Sequence, residues 1–135
     1  MAGYSGNPLV EKLGIKEGFK IALVNSPAGY KSLLGRLPSN VRVAKADDGQ
    51  LDLIQIFSRE KASLEREIPA LMMQMASNGM IWVSWPKGAS KLETDLNENI
   101  VRKIALANGL VDVKVCAVDE TWSGLKLVIR LKDRT

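Results

Sequence analysis

Apolar runs of strand length alternate with helix-patterned stretches along nearly the whole chain, and this alternation constrains the fold more than any other feature. Residues 19–24 (FKIALV), 51–57 (LDLIQIF) and 80–85 (MIWVSW) are such runs. LDLIQIF carries Leu or Ile on both faces, as expected of a strand covered on both sides. A first short helix is expected over 7–14, with Asn7 as cap, Pro8 in the first turn and Gly14 at the exit. A second spans 30–37 and ends at Pro38; an alternating strand over 41–45 and the turn signal Asp47-Asp48-Gly49 follow. Residues 61–75 read as a longer helix with Leu64, Ile68, Leu71, Met72 and Met75 on one face. Pro69 should kink it, and Asn78-Gly79 should end it. Thr94 or Asp95 should cap the next helix, Asp95 and Glu98 standing at capping-box spacing, and Gly109 should close it. The runs 110–118 and 125–132 are joined by only six residues, which forces an antiparallel pair.

The order β-α-β-β-α-β-α-β-β predicts a single three-layer α/β domain over residues 1–135, its twisted sheet mostly parallel and ending in an antiparallel hairpin. One step is anomalous. The connection between 45 and 51 is too short for the dozen or more residues of a usual parallel crossover. Either a strand–helix unit is missing there, or the second and third strands are arranged differently.

With no histidine, the chain lacks the usual general base near neutral pH and the commonest metal ligand, so Ser-His-Asp and Cys-His sites are excluded. No metal site is expected. The single cysteine, Cys116, forbids an internal disulfide and reads as apolar filling within a strand. No apolar run reaches the roughly 18 residues of a membrane span, and residues 1–14 do not resemble a signal peptide, so a cytoplasmic location is expected. The net charge of +4 is uneven: residues 1–46 carry seven Lys or Arg against two Glu, whereas the remainder carries twelve against thirteen acids. A basic first third could meet an anionic partner, but its cations are scattered, and nucleic-acid binding is disfavoured.

Several segments resemble the S-adenosylmethionine-dependent methyltransferases. Ser77-Asn78-Gly79-Met80 leading into IWVSW resembles the Pro-Gly-Gly turn before that family's fifth strand; LDLIQIF resembles its fourth strand; KIALVNSPAGY stands where the family has its glycine-rich first motif. SWPK at 84–87 and VDETWSGLKLV at 118–128 also resemble a group of small, uncharacterised bacterial proteins with a methyltransferase-like fold. The resemblance implies a methyltransferase-like, Rossmann-like sheet. It also exposes departures. Leu23 occupies the position of an acidic residue, and Asn25 and Pro27 those of two glycines. Only Gly29 survives, and Asp47 or Asp48 would have to meet the ribose hydroxyls. Pro27 offers no N–H.

In such sheets, ligands bind beyond the carboxyl ends of the strands. The candidate edge is therefore Asn25, Ser26 and Tyr30 after the first strand, Ser58 and Arg59 after LDLIQIF, and Trp85 and Lys87 after MIWVSW. The hairpin tip adds Asp119, Glu120, Trp122 and Lys126. Tryptophans beside cations could stack on and neutralise a ligand; equally, Trp85 and Trp122 could pack the hairpin, with Asp119 and Glu120 paired to Lys87 or Lys126. The leading expectation is a non-catalytic domain, without cofactor, that binds a small anionic molecule or a protein partner at this edge, with a homodimer as the default assembly. The alternative is a divergent S-adenosylmethionine-dependent methyltransferase. A nucleic-acid-binding domain is the third reading.

Overall fold

A computed structural model describes residues 8–134. The elements are α1 (Leu9–Leu13), β1 (Lys20–Val24), α2 (Tyr30–Leu34), β2 (Arg42–Val43), β3 (Leu51–Phe57) and α3 (Lys61–Met72). They continue with β4 (Met75–Pro86), α4 (Glu98–Ala107), β5 (Leu110–Ala117), β6 (Trp122–Ile129) and a 3₁₀ turn (Leu131–Asp133). One six-stranded sheet runs β2-β1-β3-β4-β6-β5. Strands β2, β1, β3 and β4 are parallel, and β6 is antiparallel to both β4 and β5. The three-layer α/β architecture with its terminal hairpin is thus the one expected.

Register explains the short connection. Val43 pairs with Ile21 and Ile21 with Leu53, so β2 ends level with the start of β3. The chain need not travel back along the sheet. It only steps sideways across β1, roughly 10 Å at two strand spacings, which residues 44–50 span easily. Ala44 and Ala46 pack on the cluster beneath α3 and α4, so the connector covers the face that a crossover helix would otherwise cover.

Each sheet face has its own core. Ile54, Ile56, Ile81, Val83, Trp85, Leu125 and Leu127 meet Leu64, Ile68 and Leu71 of α3 and Val101, Ile104 and Ala105 of α4. On the other face Leu53, Phe57, Trp82 and Trp122 meet Val10, Leu13, Tyr30 and Leu34. Trp82 is fully buried and its indole N–H donates to the Leu13 carbonyl at 2.8 Å, satisfying its polar atom while pinning α1 to the sheet.

Several boundaries differ from expectation for local reasons. The Asn7 cap lies outside the described residues; α1 starts behind Pro8 and closes on Gly14 in the left-handed conformation. α2 stops at Gly35, short of residue 37. Pro69 does not interrupt α3, because both Pro69 and Glu65 face solvent, where the carbonyl deprived of its N–H partner is hydrated. Asn78-Gly79 ends no helix. α3 ends at Met72, and β4 already runs through 75–79, joined to β3 by an irregular register in which Leu51 pairs with Met75 and Leu53 with Met80. Met75 is accordingly a strand residue. The α4 cap is Asn97, whose Oδ1 accepts from the Ile100 N–H at 2.9 Å. Asp95 instead accepts from the Lys61 N–H at 2.7 Å and so caps α3. At the far edge, β5 bulges between Asp112 and Lys114, and Asp112 pairs with Arg102 of α4. The hairpin is tighter than six residues: only 118–121 separate β5 from β6, and β6 ends at Ile129.

The irregular start of β4 depends on a residue without a side chain. A Cβ on Gly79 would lie 2.7 Å from the Leu51 carbonyl oxygen and 3.0 Å from that of Ala76, both backbone atoms that cannot swing aside. Gly79→Ala should therefore destabilise the protein by about 1–3 kcal/mol, as overpacking does. Urea unfolding would check this.

Candidate functional site

β1, β3 and β4 all end at one edge of the sheet, and because β5 runs parallel to them the 118–121 turn reaches the same edge. An open cleft of about 830 Å³ lies there. Asn25 and Pro27 after β1 line it, with Phe57, Ser58 and Arg59 at the end of β3. Glu60, Ser63 and Glu67 come from the start of α3, Glu93, Thr94 and Asp95 from the loop before α4, and Trp122 from β6.

Of the residues expected at this edge, Asn25, Ser58, Arg59 and Trp122 meet in the cleft. Ser26 lines a second depression of about 610 Å³ on the other side of the loop, with Leu23, Lys31, Val43, Ala44, Lys45 and Asp48. That depression exists because β2 stops at Val43 and leaves the outer side of β1 uncovered. Tyr30 is buried beneath the loop. Trp85 is buried on the α3/α4 face, opposite to the face that holds Trp122, so the two tryptophans form no common stacking surface. The Lys87 N–H donates to the Thr121 carbonyl at 2.8 Å, tying the loop after β4 to the hairpin. Glu120 is exposed, and Lys126 sits well down β6 opposite Trp82. Asp119 pairs with neither Lys87 nor Lys126. Its Oδ1 accepts from the Thr121 and Trp122 N–H groups, each at 2.8 Å, and so shapes the turn itself. Cys116 is half-buried, and burial raises its thiol pKa, which suits apolar filling.

Six polar lining residues escaped the strand-end reasoning: Glu60, Ser63, Glu67, Glu93, Thr94 and Asp95. The available signal was positional, since the first turns of a helix that follows a parallel strand lie at that strand's carboxyl edge. These residues reverse the expected charge. The cleft holds four carboxylates against Arg59, whose Nε already donates to the Glu93 carbonyl at 3.0 Å. Asp95 is occupied in capping α3, and Glu60 accepts from Ser63 at 3.3 Å. Glu67 Oε2 is buried without a hydrogen-bond partner.

The loop over β1 keeps a glycine-like shape without glycine at its head. Asn25 has φ 58° and Gly29 φ 81°. Asparagine is among the few side chains that tolerate the left-handed region. Asn25 Nδ2 also reaches the Phe57 carbonyl at 3.5 Å, and the Tyr30 N–H donates to the Pro27 carbonyl at 3.1 Å. Below the loop the Tyr30 hydroxyl donates to Gln55 Oε1 at 2.6 Å, and Gln55 Nε2 donates to Ser84 Oγ at 3.2 Å, all three residues buried. Tyr30 meets Phe57 edge-on at 4.7 Å, and Phe57 meets Trp122 edge-on at 5.1 Å, which forms an aromatic floor.

Comparison with known proteins bears on the fold. The chain aligns with a SAM-dependent methyltransferase from Aquifex aeolicus at a TM-score of 0.65 and 14% identity, covering 90% of this chain and 88% of that one. The fold is methyltransferase-like. The ribosomal protein L11 methylase of Lactobacillus delbrueckii subsp. bulgaricus gives 0.62 at 15% identity, covering 90% and 74%. The magnesium protoporphyrin IX methyltransferase of Synechocystis PCC 6803 with bound SAH gives 0.56 at 12%, covering 90% and 78%. No protein-family model and no curated protein sequence matches the chain. At these identities the likeness is one of fold, and residue roles do not travel with it. No helix among the described residues is long and apolar enough to cross a membrane.

Two outcomes are expected. Asp119→Ala removes the acceptor of two N–H groups and should cost about 1–2 kcal/mol, read by tryptophan fluorescence during denaturation. Burial, reinforced by the charges of Asp119 and Cys116, holds the Tyr30 hydroxyl pKa well above its ordinary value of 10.0. The unfolded chain releases that proton first, so this contribution is complete below pH 10 and is lost as pH rises above it. Tyr30→Phe should make stability fall less steeply above about pH 10 than in the wild type, as measured by melting temperature.

Proposed function

We propose that the cleft binds a cationic nucleoside of the S-adenosylmethionine type and that the chain is a divergent methyltransferase. The observation that carries this reading is the acid-lined cleft at the carboxyl edge, where Glu60, Glu67, Glu93 and Asp95 stand against Arg59. Carboxylates gathered in a cleft with a single cation favour a positively charged ligand. S-adenosylmethionine presents two cationic groups, a sulfonium and an ammonium, against one carboxylate. The methyltransferase-like fold and the retained left-handed turns at Asn25 and Gly29 support the same reading.

The residues present fit the group in a particular way. Glu67 would face a cationic portion, Asn25 and the loop behind it would contact the middle of the ligand, and Asp48 in the second depression is the acid available to ribose hydroxyls. When bound, the cofactor supplies a methyl group made electrophilic by its positive sulfur. The chain's own share is to orient that methyl group, keep water from it, and take up the acceptor's proton on a cleft carboxylate. Histidine is not needed for any of this.

The non-catalytic reading, with a small anionic ligand, has one observation on its side. Lys31 and Lys45 both line the second depression. Calorimetric titration separates the readings. S-adenosylmethionine should bind about fivefold more tightly than the uncharged-sulfur product S-adenosylhomocysteine, and Glu67→Gln should narrow that gap. Inorganic phosphate should not compete. Absence of binding by both nucleosides at millimolar concentration would overturn the proposal, and competition by phosphate would favour the anionic ligand.

A further inference from the structure

We infer that Tyr30, Gln55 and Ser84 are positioning residues that hold the 25–29 loop in its ligand-accepting shape; the consequence for affinity rests on the reading just proposed. Buried polar side chains in a small core are expensive unless paired, and this sheet keeps Gln55 and Ser84 within the buried stretches of β3 and β4. Their hydrogen bonds lead in one direction only, from Ser84 Oγ through Gln55 to the Tyr30 hydroxyl. Tyr30 is the first residue of α2 and immediately follows Gly29.

The loop itself has little else to hold it. Asn25 and Ser26 are exposed, as are Ala28 and Gly29, and α2 is a single short turn of five residues. A Cβ on Gly29 would meet nothing within 4 Å, so packing does not confine that end of the loop. Its backbone bonds, from the Tyr30 N–H to the Pro27 carbonyl and from the Leu33 N–H to the Gly29 carbonyl, are local to the loop and α2; its side-chain ties to the sheet are the long Asn25 Nδ2 contact with the Phe57 carbonyl at one end and Tyr30 at the other. The Tyr30 ring is held laterally by Phe57, and its depth and rotation are set by the 2.6 Å bond to Gln55. Gln55 Nε2 in turn donates to Ser84 Oγ, which ties its amide to β4. A side-chain ladder rooted in the sheet thus fixes a loop that has Gly29 as its one glycine and no N–H at Pro27.

Three versions of the full chain test this. Tyr30→Phe keeps the ring and removes the hydroxyl. Tyr30→Phe/Gln55→Leu/Ser84→Ala removes the whole ladder, leaving no orphaned polar atom, and such replacement can be nearly neutral for stability. In the absence of ligand, amide hydrogen exchange at residues 30 and 33, whose N–H groups donate to the Pro27 and Gly29 carbonyls, should quicken about tenfold in both variants, with β3 and β4 amides unchanged in the triple variant. Titration with S-adenosylmethionine should show affinity about tenfold lower in both, although the triple variant regains melting temperature. Unchanged exchange in the loop overturns the inference. So does affinity that recovers together with melting temperature, the behaviour of a ladder that only stabilises the core. If the wild type binds no S-adenosylmethionine, the proposed function fails, and the exchange measurement still decides the role of the ladder.

Discussion

Burial of β3 on both faces is the constraint on which the other elements depend. From Leu53 to Ser58 every residue is buried, and the strand lies between β1 and β4 in the middle of the sheet. A strand in that position needs a layer on each side. α1 and α2 supply one, and α3, α4 and the 44–50 connector supply the other. The one β3 side chain that is not fully buried, Asp52, accepts from the Lys20 N–H at 2.9 Å and closes the start of β1. Where β3 ends, the coverage ends with it, and the cleft begins at Phe57 and Ser58.

Much of this was legible in the sequence, and the exceptions share a physical cause. LDLIQIF announced a doubly covered strand because no residue alternation is needed when both faces are dry. The hairpin was legible because so short a connection admits only antiparallel pairing. The misreadings came from residues whose chemistry suits two local structures. Asn78-Gly79 is a turn signal by propensity, but Gly79 is there because the Leu51 carbonyl comes too close for any side chain. Asp95 and Asn97 are both good caps, and only the tertiary fold assigns Asp95 to α3 and Asn97 to α4. The connector was unreadable for another reason: its length is allowed by strand register, and register is not a local property.

The cleft was legible in place and not in character. Strand ends pointed to the edge where it lies, and Asn25, Ser58, Arg59 and Trp122 line it. Its sign was not readable. Lys31 and Lys45 of the basic first third line the depression beside β1 and β2, while the cleft takes its acids from the start of α3 and the loop before α4, so a charge count along the chain averages two unlike neighbourhoods. The absence of glycine at 25 and 27 likewise read as the absence of such a loop. Asn25 nonetheless takes the left-handed conformation that glycine most readily adopts.

The two ends of the sheet bear on solubility. An exposed strand edge offers a row of unpaired N–H and C=O groups on which another chain can polymerise. Here β2 is only two residues long, too short to template a partner, and β5 carries a bulge beside Lys114 that spoils a straight ladder. Edge-to-edge pairing therefore meets a two-residue strand on one side and a bulged one on the other, an obstacle of shape rather than of bulk.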